Sequence, residues 1–151
     1  MKNSKRASSA KVAEDRQLYE TLASFRYALR QFLSNSDSIA SATGVTSQQY
    51  QAMLAIESHP EAGMSMKALA EQMLLLPHGA VQLVDRLELL KIAKRQILAE
   101  DRRQVRISLT AKGRKVLRTL AYRHLQELLV HEQLLIESLK RLRSLEGHVS
   151  E

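Results

Sequence analysis

Residues Pro77–Gly113 read PHGAVQLVDRLELLKIAKRQILAEDRRQVRISLTAKG. Proline is well placed at the first turn of a helix, where its missing N–H costs nothing. After it, Ala80, Leu83, Val84, Leu87 and Leu90 recur at helical spacing and mark a buried side. His78, Gln82, Asp85, Arg86 and Leu89 are left for the other faces. The pattern then changes. Val105, Ile107 and Leu109 alternate with Gln104, Arg106 and Ser108, the period of a half-buried strand anchored to a core by its apolar members. Ile97 and its neighbours supply a partner strand. Glu100-Asp101-Arg102-Arg103 is then a charged hairpin tip, and Thr110 is the N-cap of another helix.

Working backwards, Ser65 is an N-cap for the short helix MKALAEQM, and Leu74-Leu75-Leu76 links it to Pro77. A short helix, a tight turn and a second amphipathic helix make a helix-turn-helix. Thr46-Ser47-Gln48-Gln49 is a capping box that opens a helix running to about Ser58, stopped by His59-Pro60-Glu61-Ala62-Gly63. Between Asp15 and Leu33, the residues Leu18, Leu22, Phe25, Leu29 and Phe32 form a heptad-like stripe. The Ser-rich stretch Ser34–Gly44 is expected to loosen or end that helix. After Arg114, leucines at 117, 120, 125, 128, 135, 139 and 142 predict two helices or one long bent one. Residues 1–13 are basic and small, the composition of a disordered tail.

The expected fold is therefore mainly α with a small β-hairpin wing. A winged helix-turn-helix spans residues 45–117, flanked by helical regions at 14–44 and 118–151. The 151-residue chain carries 23 Lys and Arg against 16 Asp and Glu, and the net charge is +7. Between Lys91 and Arg118 there are ten basic residues and two acidic ones, so the excess is focused on the wing region. Phosphate binding is the simplest use for such focusing.

With no Trp and only 4% aromatic residues, a wide stacking platform for single strands is not expected. Without cysteine there is no disulfide, thiol catalysis or Cys-based metal site, which fits a cytoplasmic protein. No apolar run is long enough to span a membrane. Catalytic motifs are absent, so an enzyme is not expected, nor is a cofactor. His124, Glu127 and His131, spaced three and four apart, are the one weak set of metal ligands. An exposed helix face is the plainer reading, and no metal site is expected.

A winged helix places its second helix in the major groove and its wing against a minor groove or the backbone. Double-stranded DNA is the expected partner. The candidate contacts are Ser65, Pro77, His78, Gly79, Gln82, Arg86, Arg95, Arg102 and Arg103. At the wing, Asp101 is read as pairing with Arg103 to shape the turn, leaving Arg102 to meet DNA.

The run from LAEQM through LVDRLE to AEDRRQVRISLTAKG resembles the MarR family of bacterial transcriptional regulators, with a helix-turn-helix, a D-R-R wing and then L-T-x-x-G. The resemblance covers roughly Thr46–Leu120. It implies a homodimer whose N- and C-terminal helices interlock, using Leu18, Leu22, Phe25, Leu29 and the late leucines. It also implies regulation by a small aromatic or anionic ligand held between the dimer helices and the winged helix. Tyr19, Phe25, Tyr50 and Met53 are candidates to line such a pocket, with core packing the alternative for each. The function implied is a regulator binding a pseudo-palindromic operator. Three places depart from the family pattern. The recognition helix opens with Leu76-Pro77-His78-Gly79 in place of Ser or Thr residues. Lys91 stands where a glycine usually ends that helix, and Leu74 stands where the turn commonly has glycine. These departures motivate a second reading, a winged-helix interaction module with weak or nonspecific DNA binding.

Overall fold

The computed structural model describes residues 2–61, 63–97 and 105–145, with side chains from residue 11 onward. The elements in order are α1 (Lys2–Ser41), α2 (Ser47–Ser58), β1 (Met64–Ser65), α3 (Met66–Gln72), α4 (Pro77–Leu89), β2 (Ala93–Ile97), β3 (Val105–Leu109) and α5 (Ala111–Leu145). The hairpin tip Glu100–Arg103 lies outside the described residues, and with it Asp101, Arg102 and Arg103.

Helix starts fall where side chains can satisfy the first free N–H groups. The Thr46 hydroxyl accepts from Gln49 N at 3.1 Å, and the Gln49 amide oxygen accepts from Thr46 N at 2.8 Å. Ser65 accepts from Ala68 N at 3.1 Å, and Thr110 from Gly113 N at 3.0 Å. Pro77 takes the first position of α4, which has no side-chain cap.

Helices α3 and α4 stop in the same way. Leu75 N donates to Ala70 O and Leu74 N to Glu71 O, while Ile92 N donates to Leu87 O and Lys91 N to Glu88 O. Both are Schellman closures, which need a left-handed residue just past the cap. Leu74 (φ 53°) and Lys91 (φ 58°) fill those two positions. They are the same two positions at which the sequence departs from glycine. The backbone geometry is kept, at a cost of about 1 kcal/mol for each non-glycine residue.

The sheet has three strands in the order β1-β3-β2, all antiparallel. The two-residue β1, which pairs Met64 with Ile107, was not evident in the sequence. In the wing, Ala93 pairs with Leu109, Arg95 with Ile107 and Ile97 with Val105. Ile107 and Leu109 are fully buried as expected, but Val105 is not an anchor. It lies at the outer end of the hairpin opposite Ile97, and both are exposed, because the core ends below them.

Two further expectations do not hold. The stretch read as a disordered tail is helical from Lys2, and the Ser-rich link does not end α1 before Ser41. Neither stretch contains Gly or Pro up to that point, and residues 2–13 are rich in Ala, Lys and Arg, which favour helix. In the link, buried Ser36 is hydrogen-bonded and Ala40 is packed in the core, so tertiary contacts outweigh weak propensity. The chain turns only at Gly44, where φ is +80°. Downstream, the leucine-rich region is the single helix α5.

The chain divides into two compact units, Ser36–Leu125 and Met1–Asn35 with Gln126–Glu151. The first holds the winged helix and the main core, built from residues such as Met53, Met64, Leu69, Val84, Leu87, Ile107, Leu109 and Leu120. It also takes in residues 36–41 at the end of α1 and residues 118–125 of α5, which the sequence reading had assigned to the flanking helical regions. In the second unit, Ala28 and Ser138 are buried, and Asn35 donates to Glu127 at 2.7 Å. Of the α1 stripe, Leu18, Phe25 and Phe32 are half-buried while Leu22 and Leu29 are exposed. Leu128, Leu129, Val130, Leu134 and Leu139 of α5 are exposed as well.

Candidate nucleic-acid interface

Helix α4 buries Ala80, Leu83, Val84 and Leu87 and exposes the opposite side. At about 100° per residue, His78, Gln82, Asp85 and Leu89 point most directly outward, with Val81 and Arg86 on the shoulders. His78, Gln82 and Arg86 are exposed, and among the described residues none of their side chains has a partner in the fold. Leu76, Val81 and Leu89 are exposed beside them. The sequence reading had placed Leu89 off the core but had not singled out Leu76 or Val81 as exposed. The inward positions Ala80, Leu83, Val84 and Leu87 were a sufficient signal for Val81.

Arg95 occupies a different position from the one expected of a DNA contact. From β2 its side chain reaches back to α4, where it donates to Asp85 at 2.7 Å and pairs with Glu88. The backbone N–H of Arg95 also donates to Glu88, at 2.8 Å. The guanidinium is thus held by two carboxylates of the helix and offsets one of their two charges. It ties the wing to α4 and is already engaged within the protein.

The basic excess is reduced in the same way elsewhere. Arg106 pairs with Glu61 and Arg114 with Glu57, the latter at 2.8 Å, while Lys112 donates to Leu90 O at 2.8 Å. Three arginines of the Lys91–Arg118 stretch are therefore matched by acids from outside it. Lys91, Lys94, Lys115 and Arg118 are exposed, and among the described residues their side chains have no acidic partner. Of the other expected contacts, Pro77 and Gly79 lie in the first turn of α4. Ser65 uses its hydroxyl to cap α3.

The four residues considered for a ligand pocket have different settings. Met53 and Tyr50 belong to the core. Tyr50 stacks on the buried ring of His124 with centroids 4.1 Å apart. Burial raises the Tyr50 phenol above its ordinary range. Tyr19 is exposed and Phe25 half-buried, both on α1. A cavity of about 250 Å³ in the winged-helix unit is lined by other residues, among them Glu57, His59, Lys94 and Arg114. The histidines have structural partners too. His124 Nδ1 lies 2.9 Å from Leu120 O and Nε2 2.8 Å from the Ser36 hydroxyl. A carbonyl can only accept, so Nδ1 donates to Leu120 O, while Nε2 faces both the Ser36 hydroxyl and, at 3.3 Å, the Ser36 carbonyl. His131 Nδ1 lies 3.2 Å from Glu127. Among the described residues no three His, Asp or Glu side chains converge on a metal position.

Residues 43–104 match the model of the MarR family. Among solved structures, MepR, a transcription regulator of the Staphylococcus aureus multidrug efflux pump MepA, superposes with a TM-score of 0.68 at 22% identity, covering 80% of this chain and 95% of its own. The fold is that of the MarR family. The S. aureus MepR–DNA complex gives a TM-score of 0.63 at 23% identity, covering 80% of this chain and 97% of that one. AbsC, a MarR family transcriptional regulator from Streptomyces coelicolor, gives 0.65 at 20% identity, covering 82% and 87%. No curated protein sequence matches significantly. Within this fold the L-T-x-x-G stretch joins the wing to α5. Thr110 caps α5 and donates to Lys91 O at 2.7 Å, and Gly113 lets α5 lie against Ile92.

Proposed function

We propose that the protein is a transcriptional regulator that binds a pseudo-palindromic DNA operator as a homodimer, with α4 in the major groove and the wing at the flanking minor groove. The observation that carries this reading is the outer face of α4. It is exposed, it presents His78, Gln82 and Arg86 without internal partners, and its two acids are held by Arg95, which offsets one of their charges. Lys94 on β2 and Arg102 in the β2–β3 connection supply the phosphate contacts of the wing. A DNA complex of a protein with this fold supports the docking mode. The exposed leucines of α1 and α5 supply the apolar surface that a second copy would cover. A small aromatic or anionic ligand releasing the operator completes the proposal, with the protein acting in the cytoplasm.

The test is selection of sites from a random duplex pool by the purified protein, followed by titration over a range of salt. A selected site with two half-sites about one helical turn apart, bound by two copies, is the expected result. Arg102→Ala should weaken binding and reduce the salt slope by about one. Equal affinity for selected and random duplexes at every salt concentration would favour an interaction module that holds DNA nonspecifically.

A further inference from the structure

Resting on that reading, we infer that the N-terminal half of α4 recognises thymine methyl groups, so the operator half-site is A·T at the positions that half covers, Arg86 lying one turn further along the helix. The major groove distinguishes the bases by hydrogen-bonding groups and by the thymine methyl. Guanine is read mostly by Arg or Lys, and from Ala68 to Asp85 the chain contains neither. There is no Ser or Thr in that stretch either. The hydrogen-bonding side chains on the exposed face of the first half of α4 are those of His78 and Gln82. Apolar surface surrounds them. Leu76 is 68% exposed and Val81 40% exposed, and Pro77 is exposed at the first position of the helix.

Gln82 and the apolar surface fit an A·T pair, while His78 can donate to N7 of either purine. A glutamine amide can accept from adenine N6 and donate to N7. The thymine of the same pair presents a methyl group, which an apolar side chain covers and a charged one does not. Gln82 and Val81 are adjacent in sequence and about 100° apart around the helix, so one lies beside the other on the groove side. Leu76 and Pro77 extend the apolar surface towards the end of the helix that enters a groove first in helix-turn-helix docking. Exposed leucine and valine at a water-facing helix start gain nothing in the free protein. Against thymine methyls they become contact surface.

Replacing thymine by deoxyuridine removes the methyl group and leaves every hydrogen-bonding group in place. The experiment takes the site selected by the full-length protein and substitutes each thymine in turn, measuring affinity by fluorescence anisotropy. At one or two positions in each half-site the affinity should fall about fourfold, the worth of one buried methyl group. Val81→Ala, at a surface position compatible with folding, should bind the thymine and uracil duplexes equally at one of those positions. If no substitution changes affinity while the site remains specific, or if the α4 positions select G·C, the methyl readout is wrong and the operator reading stands. If no sequence is preferred at all, both are wrong.

Discussion

Replacing Gly113 by alanine tests the joint between the wing and α5. A Cβ built on Gly113 would lie 2.1 Å from Ile92 O and 3.0 Å from Ile92 C. A carbon–oxygen contact is comfortable at roughly 3.3 Å, so the backbone must open by about 1 Å. That opening falls on a clasp of three hydrogen bonds. Thr110 N donates to Ile92 O at 2.9 Å, and the Thr110 hydroxyl is placed to donate to Lys91 O at 2.7 Å or Ile92 O at 3.2 Å. Lys112 Nζ reaches Leu90 O at 2.8 Å across the same joint. Losing the clasp costs about 2–4 kcal/mol at about 1 kcal/mol for each bond. Alanine in a helix returns up to about 1 kcal/mol. The net loss of about 1–3 kcal/mol corresponds to a fall in Tm of roughly 2–12 °C for a chain of this size.

Thermal melting followed by circular dichroism measures it. Gly79→Ala is the control, because that glycine is also helical, its added Cβ would meet nothing closer than 3.8 Å, and its Tm should hold or rise. A Gly113→Ala protein that melts within about 1 °C of the parent would refute the packing argument.

Three other outcomes are expected. Arg95→Gln leaves Asp85 and Glu88 uncompensated beside the DNA, so affinity should fall roughly tenfold at low ionic strength, and adding Asp85→Asn with Glu88→Gln should restore it, as read by anisotropy. Leu74→Gly and Lys91→Gly relieve left-handed strain and should each stabilise the fold by about 0.5–1 kcal/mol in urea titration. Because burial raises the Tyr50 phenol above its ordinary 10.0, the folded state holds that proton more tightly than the unfolded chain. This contribution is complete below pH 10 and is lost as the pH rises beyond it, so Tyr50→Phe should lessen the loss of Tm in strong alkali.

The parts of the fold that were legible in the sequence are those governed by local chemistry. Thr46, Ser65 and Thr110 announce helix starts because a hydroxyl there satisfies a free N–H, and Pro77 does so because it lacks one. Ile107 and Leu109 announce a strand by alternation. What escaped depends on partners distant in sequence. β1 is two residues long and exists because Met64 meets Ile107, 43 positions later, too short for any periodicity. Ser34–Ser41 reads as a loop by composition and stays helical through contacts such as Ser36 with His124. Arg95 reads as a phosphate contact by charge alone, until the packing of β2 against α4 brings it to Asp85 and Glu88. Arginine counts in a wing therefore overstate the charge available to DNA.

The pair of carboxylates on α4 has a consequence for scale. A phosphate backbone encountered at random must approach a helix whose positive end residue, Arg86, sits next to Asp85 and close to Glu88. A generic duplex that drew Arg95 away would uncover two negative charges at its own surface. If the protein binds DNA as proposed, off-target DNA is thereby discouraged by the same group that holds the helix face in order. Because a genome offers on the order of a million or more competing duplex sites, a reading head that grips them weakly remains free for its own.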